Sequence, residues 1–303
     1  MTCDYYSRLV ELTTATSAII FSYRMKVRLV WKPGSLIRRH REDEADPPPR
    51  GLVDIRSHIL WGLDDGPPSL DQSIAMLKLA AQHGTTEIVA TPSASFECRF
   101  DPQIVAERLA EIRARCKGFI RIHTGCDFHF SLGNIRDALA NPQKYTINGK
   151  NFLLVEFSDV VIPPATEEIL RKFLAKGITP IIGHPERNLI LQRSQERLQG
   201  WIALGCVLQI TARSLSGHFG KVEQQFAWDL LRQGMGYVIA SDARYMIRNP
   251  VRLDGAWRLV KQELGEDIAK RLLIDNPATI IQGTAVARKP AAGPIATARI
   301  AAG

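Results

Sequence analysis

Seven short apolar runs, "GLVDI", "TEIVAT", "GFIRIHTG", "NFLLVEF", "ITPIIG", "CVLQIT" and "GYVIAS", constrain the fold of this chain more than any other feature. They are rich in β-branched residues and nearly unbroken by polar ones, the pattern of strands buried on both faces. Helical periodicity occupies 69–84, 102–116, 164–176, 192–204, 221–234 and 253–273, and several of these stretches open at Ser, Asp or Pro and close at Gly84, Gly118, Gly177, Gly205 or Gly234. A helix between two strands carries the chain back across the sheet, so the strands run parallel. This many strand–helix units favour a closed (β/α) barrel over an open sheet. No internal sequence repeat accompanies the alternation.

The barrel is expected over residues 51–283. Ahead of it, residues 1–50 combine a short apolar patch at Ala18 to Phe21, an Arg cluster, an acidic run and consecutive prolines. The patch is too short to span a bilayer, and no transmembrane segment is expected. Behind it, "AVARKPAAGPIATARIAAG" is mostly Ala, Gly and Pro with little to pack. Both flanks are expected to be disordered. The net charge of +8 invites a nucleic-acid reading until it is divided by region: residues 1–50 carry nine Lys/Arg against six Asp/Glu, and residues 284–303 carry three against none, which leaves 27 against 25 between them. The barrel is close to neutral, so no nucleic-acid partner is expected. The five cysteines are odd in number and scattered with no C-x-x-C, which argues against a disulfide framework and a cysteine zinc site, and for a reducing cytoplasm.

In a parallel barrel the chemistry gathers where the strands end. Arg56, His58, Asp64 and Asp65 follow the first run, Ser93 the second, Asp127 and His129 the third. Glu156 closes the fourth, His184, Glu186 and Arg187 follow the fifth, and Asp242 and Arg244 the seventh. Each has an ordinary explanation taken alone: a loop histidine, a turn aspartate before Gly66, a helix cap at Ser69 or Asp71. Glu156 resists it, because a carboxylate inside a buried run must find a cation or take up a proton. Together His58, Asp127, Glu156, His184 and Asp242 supply the imidazoles and carboxylates that bind divalent ions.

These stretches also carry a family resemblance. "VDIRSHILWGLDDGPPSLDQSIAMLKLAAQHGTTEIVATP", "GHPERN", "LQITARSLSGHFG", "ASDAR" and "NPATIIQG" resemble the PHP-fold metallophosphoesterases, specifically the CpsB/YwqE-type protein-tyrosine phosphatases of bacterial capsule and exopolysaccharide loci, from about Leu52 to Gly283. The resemblance implies a distorted (β/α)7 PHP (TIM-like) barrel, two or three metal ions, usually manganese, and hydrolysis of phosphotyrosine on a bacterial capsule tyrosine kinase. It implies metal ligation by His58, Asp127, Glu156, His184 and Asp242, a phosphate-holding Arg187, and an Asp65 that serves the metal cluster or proton transfer. Asp127 stands where the family has glutamate. Arg56, Ser93 and Arg244 stand where it has histidines.

Those replacements change the charge balance. Asp65, Asp127, Glu156 and Asp242 against Arg56, Arg187 and Arg244 leave a formal charge of about −1, so one divalent ion suffices. At ~5 Å and an effective dielectric of ~20, each arginine would repel a divalent ion by on the order of 6–7 kcal/mol. Fewer ions than in the family are therefore expected, with Arg56 and Arg244 joining Arg187 as phosphate-binding groups. The alternative is an impaired pseudophosphatase that binds phosphorylated or anionic ligands. A thiol nucleophile is not implied, since Cys206 and Arg213 are spaced one residue too far for the cysteine-dependent phosphatase motif. Homo-oligomerisation is left open.

Overall fold

Among the described residues nine strands carry the seven runs, and every pairing is parallel: β1 (Leu52–Ser57), β2 (Thr85–Ala90), β3 (Ser93–Ala94), β4 (Arg121–Thr124), β5 (Asp127–His129), β6 (Phe152–Glu156), β7 (Thr179–Gly183), β8 (Val207–Thr211) and β9 (Gly236–Ala240). The structure, a computed structural model, describes residues 49–284 apart from 160, 247 and 248. The flanks expected to be disordered thus fall almost wholly outside the described residues.

Two sheets form, in the orders β1-β2-β4 and β3-β5-β6-β7-β8-β9. The second continues the first, because β3 follows β2 and β5 follows β4 after only two residues. Backbone bonds cross the break, from Gly125 N–H to the Ala90 carbonyl at 2.9 Å and from Asp127 N–H to the Pro92 carbonyl at 3.0 Å. Gly125 is needed there: a Cβ would run into the side chains of Val89 and Thr91. The result is seven strand units side by side in chain order. The first meets the last at a Ser57–Ala243 bridge, where His58 N–H donates to the Ala243 carbonyl at 2.7 Å and Asp242 N–H to the Arg56 carbonyl at 3.0 Å. This is a distorted (β/α)7 barrel, joined between first and last strands chiefly at their C-terminal ends.

The helices follow the expected alternation. Ser69 Oγ caps α1 (Leu70–Gln82), and Asp101 caps α2 (Pro102–Arg115), whose first-turn proline lacks only an N–H the helix would leave unpaired. Then come α3 (Leu132–Ala140), α4 (Thr166–Ala175), α5 (Gln195–Leu204), α6 (Lys221–Arg232), α7 (Asp254–Leu264), α8 (Glu266–Lys270) and α9 (Asn276–Gln282). They depart from expectation in two respects. The stretch read as 253–273 divides at Gly265, whose φ of +92° no helix accommodates. Helices α3 and α9 were not anticipated, because two turns of helix are too few for apolar periodicity to separate from a loop.

The apolar residues sort into two layers. One joins the helices to the sheet through Leu77, Ile88, Leu109, Leu153, Phe173, Ile182, Leu208 and Leu230. The other gathers alternate strand residues, Val53, Phe152, Leu154, Ile181, Val207, Val238 and Ala240, with Ile280 and Ile281 of α9. The next residues on that inward face, toward the strands' C-terminal ends, are Glu156, Gly183, Gln209 and Asp242. On β1 the pairing is irregular between Asp54 and Ser57. Ile55 joins the inner apolar layer while its neighbour Arg56 reaches Gln209, two adjacent residues on one face, as a bulge permits.

Candidate active site

His58, Asp127 and Asp242 converge from three different strand units, are almost completely buried, and each offers a ligand atom within 4.8 Å of the others. His58 Nδ1 lies 2.6 Å from Asp64 Oδ2, and its Nε2 points to Asp127 Oδ2 at 3.4 Å and Asp242 Oδ1 at 3.8 Å. Asp64 is itself held by the backbone N–H groups of Ser93 (2.9 Å) and Gly66 (3.0 Å). His184 and Asp242 have φ of +32° and +52°, in the left-handed region that non-glycine residues seldom occupy. Such strain concentrates where a fold positions functional groups.

Three arginines complete the cluster. Arg56 has no exposed side chain; its Nη2 lies 2.7 Å from Asp127 Oδ2 and 2.9 Å from Glu156 Oε2, and its Nε 3.2 Å from Asp242 Oδ1. Arg244, 20% exposed, pairs through Nη1 with Asp65 and places Nη2 3.5 Å from Asp242 Oδ1 and 3.7 Å from Asp127 Oδ2. Arg187, 29% exposed, donates from Nη1 to Asp242 Oδ2 at 2.8 Å and lies over the Phe219 ring, 4.4 Å from its centroid. Glu156 is divided between Arg56, His184 Nε2 (3.1 Å) and His129 Nε2 (3.2 Å).

The electrostatics follow from this packing. Burial works against charge on every group, yet Arg56 and Arg244 hold the Asp242 carboxyl down to about 2. Burial opposes ionisation of Glu156 too, and Arg56 and the histidines overcome it, taking its pKa well below the ordinary value. Burial and Arg244 disfavour protonation of His58, but Asp64 and Asp127 carry it to about 9.

The expected site residues therefore share one strand edge but not one ligand set. His58, Asp127 and Asp242 form a triad; His184 is placed on Glu156 instead, and Asp65, half exposed, faces Arg244. Asp64 was passed over in favour of Asp65, although the turn brings Asp64 to the imidazole. His129, already named at that edge, stands outside the expected ligand set although it reaches Glu156, and Gly183 and Gln209 do not stand out in the sequence. Their one sequence signal was position: each lies at or just before a strand's C-terminal end.

Whether a divalent ion fits has an answer in the unpaired atoms. His58 Nε2, Asp127 Oδ1 and Asp242 Oδ1 are buried and make no hydrogen bond, although the guanidiniums of Arg56 and Arg244 approach Asp242 Oδ1 to 3.2 and 3.5 Å. One ion matches this nitrogen and oxygen set. A second, among Asp127, His129 and Glu156, does not, because the Arg56 guanidinium already lies between Asp127 and Glu156.

The family model for capsular polysaccharide synthesis, CpsB/CapC, matches residues 52–282, the whole barrel. The chain belongs to the CpsB/CapC family. Among the relatives of this CpsB/CapC member are the tyrosine-protein phosphatase CpsB of Streptococcus pneumoniae, 30% identical over 244 residues (76% of this chain, 98% of the relative), and the tyrosine-protein phosphatase YwqE of Bacillus subtilis, 28% identical over 243 residues (79% and 95%). A solved structure described as YwqE from B. subtilis and CpsB from S. pneumoniae, unique metal-dependent tyrosine phosphatases, superposes with a TM-score of 0.74 at 26% identity, covering 80% of this chain and 99% of that one. The phosphotriesterase homology protein of Escherichia coli matches with a TM-score of 0.53 at 10% identity, a likeness of fold alone, over 77% of this chain and 99% of its own.

Proposed function

We propose that this CpsB/CapC member is a metal-dependent phosphoesterase that hydrolyses phosphotyrosine in proteins and works with a single divalent ion. The observation that carries the reading is the buried triad of His58, Asp127 and Asp242, with ligand atoms free of hydrogen bonds, beside two partly exposed arginines. The triad would hold the ion, for which we favour manganese. When bound, the ion supplies Lewis acidity and lowers the pKa of a water.

The remaining work falls to side chains. Arg187 and Arg244 grip phosphate oxygens, for which a guanidinium is suited by its planar fork of donors. Each is already anchored by an aspartate, Asp242 and Asp65, which limits the freedom lost when phosphate arrives. Phe219, against Arg187, gives the mouth an aromatic wall. Asp65, at 52% exposure, is placed to exchange a proton with solvent, and Asp64 orients His58. No helix among the described residues is long and apolar enough to cross a membrane. We assign the chain to the cytoplasm, acting on a capsule tyrosine kinase; the capsule-synthesis family and the phosphatase relatives support that choice. They also weigh against the alternative of a binding-only pseudophosphatase.

The test is turnover of p-nitrophenyl phosphate and a phosphotyrosyl peptide by the full chain with and without Mn²⁺. Hydrolysis should vanish in EDTA and return with metal, and Arg187→Ala should lower kcat/KM by the equivalent of about 1–3 kcal/mol for one lost charge-assisted contact. A wild type inert with every divalent ion, yet able to bind the phosphotyrosyl peptide, would overturn the enzyme reading and restore the binding-only one.

A further inference from the structure

Arg56 is the largest fully buried side chain among the described residues, and it lies at the centre of the carboxylates. Asp127, Glu156 and Asp242 come from three separate strand units, and each is within 3.2 Å of one of its nitrogens. Its Nη1 donates to Gln209 Oε1 at 3.3 Å. On β7 the backbone has been kept clear for it: a Cβ at Gly183 would overlap Nη1. A side chain without exposed surface, enclosed by five residues, cannot meet a phosphate in the mouth of the barrel. Arg56 therefore leaves the expected phosphate-binding set, and Arg187 and Arg244 remain in it.

Enclosure of this kind points to another role. Carboxylates brought together away from water require a cation, and a divalent ion is the usual one. A guanidinium has no lone pair with which to bind a metal, stays protonated, and offers several donors in one plane. Arg56 Nη2 lies 2.7 Å from Asp127 Oδ2 and 2.9 Å from Glu156 Oε2, the position that an ion held by those two oxygens would take. We infer that Arg56 is a built-in cation: it permanently occupies the place among Asp127, Glu156 and Asp242 that a second divalent ion would need, so that the chain takes up one ion at most, at His58, Asp127 and Asp242, and keeps its fold with none. The inference concerns the same site as the proposed phosphatase but does not rest on turnover.

The full-length protein, saturated with Mn²⁺ and passed through a desalting column, is assayed for metal per chain by mass spectrometry and for melting temperature with and without EDTA. Wild type should carry no more than one Mn²⁺ and remain folded in EDTA. Arg56→Lys, which keeps a cation, should match it in metal content. Arg56→His should take up one further ion, and in EDTA it should melt about 10 °C below wild type, since three carboxylates then lose the guanidinium they share. Gly183→Ala should lower the melting temperature of wild type more than that of Arg56→His, because the nearest group it collides with is then gone and only the tight approach to the Val155 carbonyl, 3.3 Å, remains. If Arg56→His is soluble only when produced with Mn²⁺, that too supports the inference; if it is insoluble throughout, the metal stoichiometries of wild type and Arg56→Lys decide alone. Two or more tightly held ions in wild type, or an Arg56→His protein equal to wild type in metal and stability, overturns it. One ion without turnover would sink the phosphatase reading and leave this inference standing; turnover with two or three ions would overturn this inference and the single-ion part of the proposed function, and leave the phosphatase activity standing.

Discussion

His58 gives one imidazole nitrogen to Asp64 and presents the other to Asp127 and Asp242. A carboxylate behind a ligating histidine settles its tautomer and raises its basicity. Asp64→Asn should therefore weaken Mn²⁺ binding by roughly 10–100-fold in calorimetric titration, with an unchanged circular dichroism spectrum. A mutant with wild-type affinity would remove Asp64 from the site. The residue was only half legible: the sequence shows two adjacent aspartates before Gly66, but which one turns inward depends on the loop, where Gly62 has a φ of +66° and the Gly66 N–H returns to Asp64. Adjacent side chains in a turn diverge, and chemistry alone does not rank them.

Among the elements, α9 does the least expected work. Its Ile280 and Ile281 close the inner apolar layer against residues of β1, β6, β8 and β9. Ile280→Ala should cost about 2–5 kcal/mol, the range for emptying a fully buried aliphatic site, whereas Val222→Ala on α6, where the valine is 62% exposed, should change stability by less than about 0.5 kcal/mol. Denaturant unfolding of the two variants is the comparison, and equal midpoints would show that α9 is not part of the cooperative core. The strands were readable because burial on both faces leaves long apolar runs. The irregularity in β1 was not, since a register shift lies in the pairing of two strands rather than in either one.

For the molecule as a whole, pH dependence has a component that runs against the usual direction. Burial raises the Asp54 carboxyl to about 6, against the hydrogen bonds it accepts from Ser241 and Arg56. Between the unfolded value near 3.9 and about 6 the native state holds the extra proton, so this contribution to stability falls as pH rises, by about 3 kcal/mol in total at pH 7. Asp242 and Asp64, both held near 2, act oppositely and lose their contribution as pH falls through the range from about 4 to 2. Asp54→Asn removes only the first effect: it should melt above wild type at pH 8 and level with it near pH 4. A constant difference across that range would contradict the assignment. At the same scale, residues 51–283 are proposed as the folding unit, so deletion of residues 1–50 should shift the melting temperature by less than about 2 °C. A large drop would make that segment part of the fold.

The class of fold and the edge at which chemistry collects are legible along the chain alone. Buried parallel strands announce themselves by composition, and since all of them point the same way, whatever follows each run must lie at one end of the barrel. The sequence also marked Arg56, Ser93 and Arg244 as departures from the histidines that the family resemblance implies. What those departures do was decided only in three dimensions. Arg56 meets its partners 71 residues away at Asp127 and 153 away at Gln209. Whether it faced the mouth or the interior turned on a one-residue irregularity in β1 and on the room left by Gly183. A side chain's direction depends on register and closure, and both are properties of the assembled barrel, which no local stretch of the chain contains.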